Sequence, residues 1–517
     1  MRLPAGGWFL AAVLLWGPGG RATAATPTAL PYDRTCPVIY DNDGAIESGF
    51  TDTYLMALAS ARVIRLRGII TTCSWGEEQR QPPFSPLPTS EVVRERQELI
   101  AKARRSGLRN LPDVTAGPSL TLKRPASGRI EETVPYRTPG SRLILREARR
   151  ATSHRPLVIV MGGQATCVVD AYLQDPSIAD RMVLAWIVGN KRADDSIDAS
   201  EYNFGTDPWA TYIAFERLRV VAFPFSNDGD DTNDGFAETP KSRLGELPDT
   251  ELRRTMSEAA WPRGGGTFSE PAVDYDVMGA IPLTRSDYVR RTGYVSLARW
   301  EPATWGPLPQ VPFFAAAPQG RALVVWEADP RVATDEWWRR MKDPAAWGRP
   351  AGQTPFRGGP WKLPGTVEAE HFDEGGEGRA YHDTTNNFPK EGWFNPFRCL
   401  EQVDILASGA ASGGYQVGRT EAGEWLTYTV KVARAGTYTL AVRVASAGPG
   451  GTFHVEFDGV DKSGPLVIPD TGGEGSWQTL SRPGVTLKAG RQTMRLVMDR
   501  DGPAGSVGEF DWVRLER

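Results

Sequence analysis

The chain is poor in the residues that most enzymes use for nucleophilic or metal chemistry. Its four cysteines (Cys36, Cys73, Cys167, Cys399) are widely spaced and form no CxxC pair, which argues against a disulfide scaffold or a cysteine-held metal or redox site. Its four histidines (His154, His371, His382, His454) stand away from the acidic loops discussed below, which argues against a His-based triad or a zinc centre. Basic excess is lacking too: 59 Lys and Arg against 63 Asp and Glu leave a net charge of -4, so nucleic acid held by bulk positive charge is not expected as a partner. The apolar run at 8–16 is well short of the ~20 residues that a membrane span needs, and no later segment is longer and as apolar. Gly162-Gly163 and Gly264-Gly265-Gly266 do not fit phosphate-loop patterns.

What is present points to a chain of several parts. Its 517 residues exceed one ordinary domain at roughly 100–200 residues each. Arg2, the 8–16 apolar run and Ala22-Thr23-Ala24 read as a signal peptide over 1–24, which predicts a secreted or periplasmic protein, followed by a lead-in over 25–36. From residue 37, short apolar strands (37–40, 63–72, 157–161) alternate with helical stretches (53–61, 92–103, 143–151), and the pattern continues to 220–225. That alternation predicts an α/β fold on a mostly parallel open sheet. Between about 300 and 365 the texture turns to Pro, Gly and Trp, which sets a linker at 346–363. Beyond it, short alternating segments (426–432, 437–444, 452–457, 493–498) separated by Gly, Pro and Asp predict an all-β sandwich over 364–517.

Asp41-Asn42-Asp43 ends the first strand, and Asp52 begins the following helix. In open α/β sheets, ligands bind at the carboxyl ends of strands. Clustered carboxylates there suit a hard cation such as Ca²⁺, or turn and helix-cap chemistry. A carboxylate beside a bound water serves as a base.

Four segments in order resemble the inosine-uridine nucleoside hydrolase family, whose first loop reads Asp-x-Asp-x-x-x-Asp-Asp before an Ala/Leu-rich helix. Here the loop is Asp41-Asn42-Asp43-Gly44-Ala45-Ile46-Glu47-Ser48-Gly49-Phe50-Thr51-Asp52. Gly163-Gln164-Ala165-Thr166-Cys167 is similar to the family's Gly-Pro-Leu-Thr-Asn turn, and Glu201-Tyr202-Asn203-Phe204-Gly205-Thr206-Asp207-Pro208 to its Glu-Phe-Asn-x-x-x-Asp-Pro. Asp276 stands for a late aspartate. The resemblance covers roughly 37–345 and implies a Rossmann-like hydrolase of N-ribosyl or other glycosyl bonds, with a nucleoside or other glycoside as substrate. By the same resemblance Asp43 would bind Ca²⁺ and take a proton from water, and Asp52, Asp276 and the Thr166 carbonyl would complete the ion's ligands. Glu201, Asn203 and Glu47 would bind the sugar. The first loop is four residues longer than the family's, and Tyr275 takes the place of a histidine that often protonates the leaving base. A non-catalytic glycan- or ligand-binding protein on the same scaffold, or a hydrolase of another glycoside, is the alternative.

Residues 364–517 resemble family 6 carbohydrate-binding modules, which are jelly-roll sandwiches. The carriers are Val367-Glu368-Ala369-Glu370-His371-Phe372, Gly423-Glu424-Trp425, Ala435-Gly436-Thr437-Tyr438 and Phe510-Asp511-Trp512-Val513. The resemblance implies a structural Ca²⁺ at Glu368, Glu370 and Asp511, polysaccharide as partner, and Phe397 as a sugar-stacking platform. The second platform and the binding Asn fall at Glu474 and Glu509. Trp425, Trp477 and Trp512 lie on strand patterns and are expected in the core. Seven of the 17 tryptophans (Trp300, Trp305, Trp326, Trp337, Trp338, Trp347, Trp361) crowd the end of the α/β part and the linker, and are expected to pack there.

Overall fold

A computed structural model describes residues 29–43, 49–72, 89–198, 201–226, 235–237, 240–258, 276–303, 308–385, 397–398, 400–503 and 505–517. The 1–24 segment read as a signal peptide, Glu47, Cys73, Tyr275, Trp305 and Cys399 lie outside the described residues. In chain order the first part forms β1 (Pro37–Asn42), α1 (Gly49–Ser60), β2 (Arg65–Thr71), α2 (Thr89–Arg105), β3 (Val114–Ala116), α3 (Pro139–Arg150), β4 (Leu157–Gly162), α4 (Thr166–Gln174) and β5 (Met182–Lys191). It continues with β6 (Ile197–Asp198), α5 (Tyr202–Gly205), α6 (Pro208–Arg217), β7 (Val220–Ser226), α7 (Glu251–Glu258), α8 (Val277–Ala280), β8 (Val289–Pro302), β9 (Gln310–Ala316), β10 (Ala322–Ala328) and α9 (Pro330–Met341).

Local chemistry explains where these elements start. Thr138 caps α3 with Pro139 in its first turn, and Asp207 caps α6 with Pro208 next in line, because a proline loses no hydrogen bond there. β4 is buried at every position, as a strand covered by helices on both faces must be. The sheet runs β3-β2-β1-β4-β5-β6-β9-β8-β10-β7, with β5 also pairing β7. Pairs β1–β2, β1–β4, β2–β3, β4–β5, β5–β7 and β7–β10 are parallel. β1 leads outward through β2 to β3 on one side, and β4 leads to β5 on the other. The direction of winding therefore reverses between β1 and β4, where Asn42 stands opposite Gly162.

The sequence texture that begins at Trp300 does not end this sheet. β8, β9 and β10 extend it with antiparallel pairings, and α9 returns over it. Trp326, Trp337 and Trp338 are buried there, and Trp337 Nε1 donates to Phe50 O at 3.0 Å, tying α9 to α1. Trp300 and Trp347 pack partly buried on the same cores, and Trp361 on the core of the sandwich.

The second part is a pair of sheets whose longest strands are Trp425–Val432, Gly436–Ser446, Thr452–Phe457, Gly473–Leu487, Gly490–Arg500 and Glu509–Glu516, paired antiparallel. Tyr428, Val430, Phe453, Val455, Met494, Leu496, Phe510 and Val513 fill the space between them. Trp512 is buried as expected, but Trp425 and Trp477 are only half-buried, lying under the guanidinium groups of Arg495 (4.3 Å) and Arg443 (5.3 Å).

The two parts meet along the C-terminal half of α2. Lys102 Nζ, fully buried, lies 2.5 Å from Glu401 Oε1 and 3.4 Å from Glu251 Oε1. Arg105 donates to both Glu251 oxygens at 2.7 Å and to Glu374 Oε2 at 3.0 Å. Arg254 Nη2 reaches Gly375 O at 2.8 Å, and Leu400 enters the apolar core of the first part.

Candidate active site and carbohydrate module

The reversal between β1 and β4 brings the sequence-predicted residues to one end of the sheet. Asn42 Nδ2 donates to Gly162 O at 3.1 Å and to Asp276 Oδ2 at 2.5 Å. The approach is so close that a Cβ on Gly162 would stand 2.3 Å from Asn42 Nδ2 and from Asp276 Cγ, so only glycine fits. Gly163 O is held by Trp186 Nε1 at 2.8 Å. Asp43, half-buried, accepts from Gln164 Nε2 at 2.9 Å. Asp41 is buried below it, accepts from Thr72 Oγ1 at 2.6 Å, and is pushed up to about 7 by burial against the lowering effect of that bond.

Asp52, in the first turn of α1, is buried with no hydrogen bond to either carboxylate oxygen. The cation beside it is Arg96 of α2, whose Nη2 lies 3.6 Å from Asp52 Oδ2 and donates to Asn42 Oδ1 at 2.7 Å. Arg96 is 0% exposed, with its guanidinium 5.1 Å from the centre of the Tyr40 ring. Burial works to lower its pKa, but Asp52, Tyr40 and Asp276 outweigh it and hold the group charged. Burial raises Asp52 to about 7, Arg96 opposing and Asp276 adding to the shift.

The described residues of the α/β part do not form the calcium cage that the resemblance implies. Among the described residues, Glu251, Glu374 and Glu401 are the only trio whose carboxylate oxygens all lie within 4.8 Å of one another. Asp43, Asp52 and Asp276 share a region but do not converge as ligands. Thr166, whose carbonyl is the ligand the resemblance implies, opens α4, and its side-chain Oγ1 is bound to Asp207 Oδ2 at 2.8 Å. With a guanidinium beside Asp52 and Asn42 spanning to Asp276, the donor set does not fit a divalent ion. The Glu251 trio is no better a metal site, because Lys102 and Arg105 already neutralise it.

The expected sugar ligands serve first as structure. Glu201 caps α5, accepting from Asn203 N (2.6 Å) and Phe204 N (3.1 Å), and also from Gly189 N (2.8 Å) at the end of β5. Burial lifts it to about 7 against those three bonds, with Asp276 adding to the shift. Asn203 Nδ2 donates to Ile187 O at 3.0 Å. Asp207, besides capping α6, accepts from Leu122 N at 2.9 Å. Gln164 and Asp207 stand in the family-like motifs without a role given to them, and Arg96 stands in none. Arg96 does carry a signal in the sequence, because Val92, Arg96, Leu99, Ile100 and Ala103 follow helical spacing and all are buried.

In the sandwich, Glu368, Glu370 and Asp511 gather around Ser412 and Gly413. Ser412 Oγ donates to Glu368 Oε2 at 2.6 Å, and Ser412 N to Asp511 Oδ1 at 2.9 Å. Glu370 Oε2 is buried without a hydrogen-bond partner, and burial, then Glu368 and Asp511, lift Glu370 to about 8. Arg443 pairs with Asp511 Oδ2, and these oxygens do not all come within 4.8 Å of one another; the feature that suits a hard cation is the orphaned buried Glu370 oxygen beside Glu368. Phe397 is not a lone platform: it stacks on Tyr415 at 5.0 Å and neighbours His371 at 5.5 Å. His371 in turn lies between Phe356 (4.7 Å, 15°) and Trp361 (5.4 Å, 1°). Glu509 is buried and accepts from Gln416 Nε2 (2.8 Å) and Arg419 N (3.2 Å).

No curated protein matches the chain. Among solved structures, it is similar over 60% of its length to an inosine-uridine preferring nucleoside hydrolase from Bacillus anthracis, at 15% identity, covering 99% of that chain with a TM-score of 0.41. It is also similar to a carbohydrate binding module from Cellvibrio mixtus lichenase 5A in complex with cellotriose (28% identity, 22% of this chain and 86% of that one, TM-score 0.20). A β-1,3-glucan binding module from Bacillus halodurans gives 21% identity over 31% of this chain and 100% of that one, with a TM-score of 0.23. At the level of families, residues 397–517 match the carbohydrate binding module (family 6).

Proposed function

We propose that the α/β part hydrolyses a glycosyl bond of the N-ribosyl type, and that the sandwich holds it on carbohydrate. The observation that carries the reading is Asp43: it is the half-exposed carboxylate where the winding of the sheet reverses, held by Gln164 Nε2 above buried acids. Glycosyl cleavage passes through an oxocarbenium-like state, so it needs a base for the attacking water and negative charge near the sugar. Asp43 takes the water's proton, and Asp276, tied through Asn42 to the same strand end, adds negative charge. Glu201 fixes the end of β5 against α5 and so shapes the wall.

The match over residues 397–517 supports carbohydrate, and polysaccharide in particular, as the partner of the sandwich. Glu368, Glu370 and Asp511 would hold a structural Ca²⁺ there, which would neutralise three acids without entering the chemistry. Export through the 1–24 segment completes the reading, and N-terminal sequencing of the mature protein checks it. Turnover is tested on a panel of nucleosides and aryl ribosides: the wild type hydrolyses at least one, and Asp43→Asn loses at least about a hundredfold, the scale of a lost general base. No turnover on any member refutes the enzyme. One observation favours binding without catalysis: both Glu201 oxygens and the Asn203 amide are engaged with backbone. Nucleoside binding without turnover, measured by calorimetry, would establish that second reading.

A further inference from the structure

We infer that the Arg96 guanidinium is the resident cation of the acidic strand end, so that the α/β pocket keeps divalent ions out. The inference stands whether or not the pocket turns over a glycoside.

The side chain is built into the fold. It projects from the buried stripe of α2, between Val92 and Leu99, and is wholly removed from water. A guanidinium desolvated to that degree persists only when charge and hydrogen bonds compensate it. Asp52 provides the charge at 3.6 Å, Asn42 Oδ1 provides a hydrogen bond at 2.7 Å, and the Tyr40 ring receives the cation at 5.1 Å. Asn42 is the connecting piece. Its carbonyl oxygen faces Arg96 while its amide nitrogen donates to Asp276 Oδ2 at 2.5 Å, so one side chain links the cation to the second acid. Arg96 thus sets one fixed positive charge beside the acids that a hard ion would otherwise neutralise, pairing with Asp52 by charge alone and with Asp276 through Asn42. A divalent ion placed among the same acids would face that buried guanidinium across a few ångströms, and like charges so placed repel strongly.

Binding, not activity, decides the point. The full chain carrying Glu370→Gln, which removes an acid from the sandwich cluster, is dialysed to equilibrium against radioactive calcium. The expected result is no stoichiometric calcium in the α/β part. Adding Arg96→Met should create about one new site per chain and let calcium raise the thermal midpoint, whereas Arg96→Lys, which keeps the charge, should do neither. About one equivalent bound with Arg96 intact, and lost on Asp52→Asn, overturns the inference. That arm needs no Arg96 variant to fold. A folded Arg96→Met chain that gains no calcium overturns it too, because the guanidinium would then not be what excludes the ion.

Discussion

The junction between the two parts can be tested through Lys102. Its ammonium is 0% exposed and lies 2.5 Å from Glu401 Oε1. At an effective dielectric constant of about 20, a unit pair at that separation attracts by roughly 7 kcal/mol, most of it offset by the desolvation of both ions. The net pair is therefore small, but breaking it is costly. Among the described residues, Lys102→Met leaves Glu401 buried with Arg398, 3.5 Å away, as its remaining cation, and Glu251 with Arg105. Removing one partner of a buried pair costs about 3–5 kcal/mol. Lys102→Met should lose about 3 kcal/mol in urea unfolding and separate the unfolding of the two parts, seen as a second transition in tryptophan fluorescence. Glu401→Gln should be milder, because it leaves Lys102 with Glu251 at 3.4 Å. Combining the two should cost less than the sum of the singles by at least about 1 kcal/mol, the sign of direct coupling. Additive losses, or a Lys102→Met chain that melts like the wild type, would refute the buried pair as the link.

Three further outcomes follow from the geometry. Burial first, then Arg357 and Arg398, lower His371 from 6.5 to about 4. The neutral ring is thus the folded form, so its contribution is complete above about pH 6.5 and is lost as pH falls toward about 4, by at most about 3 kcal/mol. Melts between pH 4 and 7 should show the loss, and His371→Phe should flatten it. Gly162→Ala would drive a Cβ to within 2.3 Å of Asn42 and Asp276. It should destabilise by about 1–3 kcal/mol, as overpacking does, and lower turnover on any substrate found, whereas unchanged melting would show that the strand end yields. Calcium should raise the melting temperature of the sandwich transition and chelator should reverse it. Glu370→Gln should abolish the response, and a response that survives the substitution would place the ion elsewhere.

The strands and helices that position the site follow from apolar runs whose burial leaves little choice. Leu157–Gly162 reads as a covered strand and is one. The 143–151 stretch reads as a helix and lies within α3. The gathering of Asn42, Asp43, Gly162, Gln164 and Asp276 depends on a reversal of winding that no local pattern encodes. The 92–103 stretch reads as a helix, but its many Arg and Glu residues obscure the buried stripe on which Arg96 sits. β8 escaped for the opposite reason: its half-exposed residues do not alternate, so it carries no period of two. Trp425 and Trp477 look like core residues by type, yet each finds its partner in an arginine above its ring. Aromatic identity fixes the need for a covering group, not the kind of group.

The salt-bridged junction along α2 also governs reach. A module on a slack tether would let its partner sample a sphere around each anchoring point, with an effective concentration set by tether length. Lys102, Arg105 and Arg254 pin residues 374, 375 and 401 directly to the α/β part instead. The junction therefore acts as a bracket rather than a leash. On the proposed reading, a sandwich seated on a polymer would present the Asp43 pocket at one distance and one angle from the surface, and only bonds at that stand-off would come within its range.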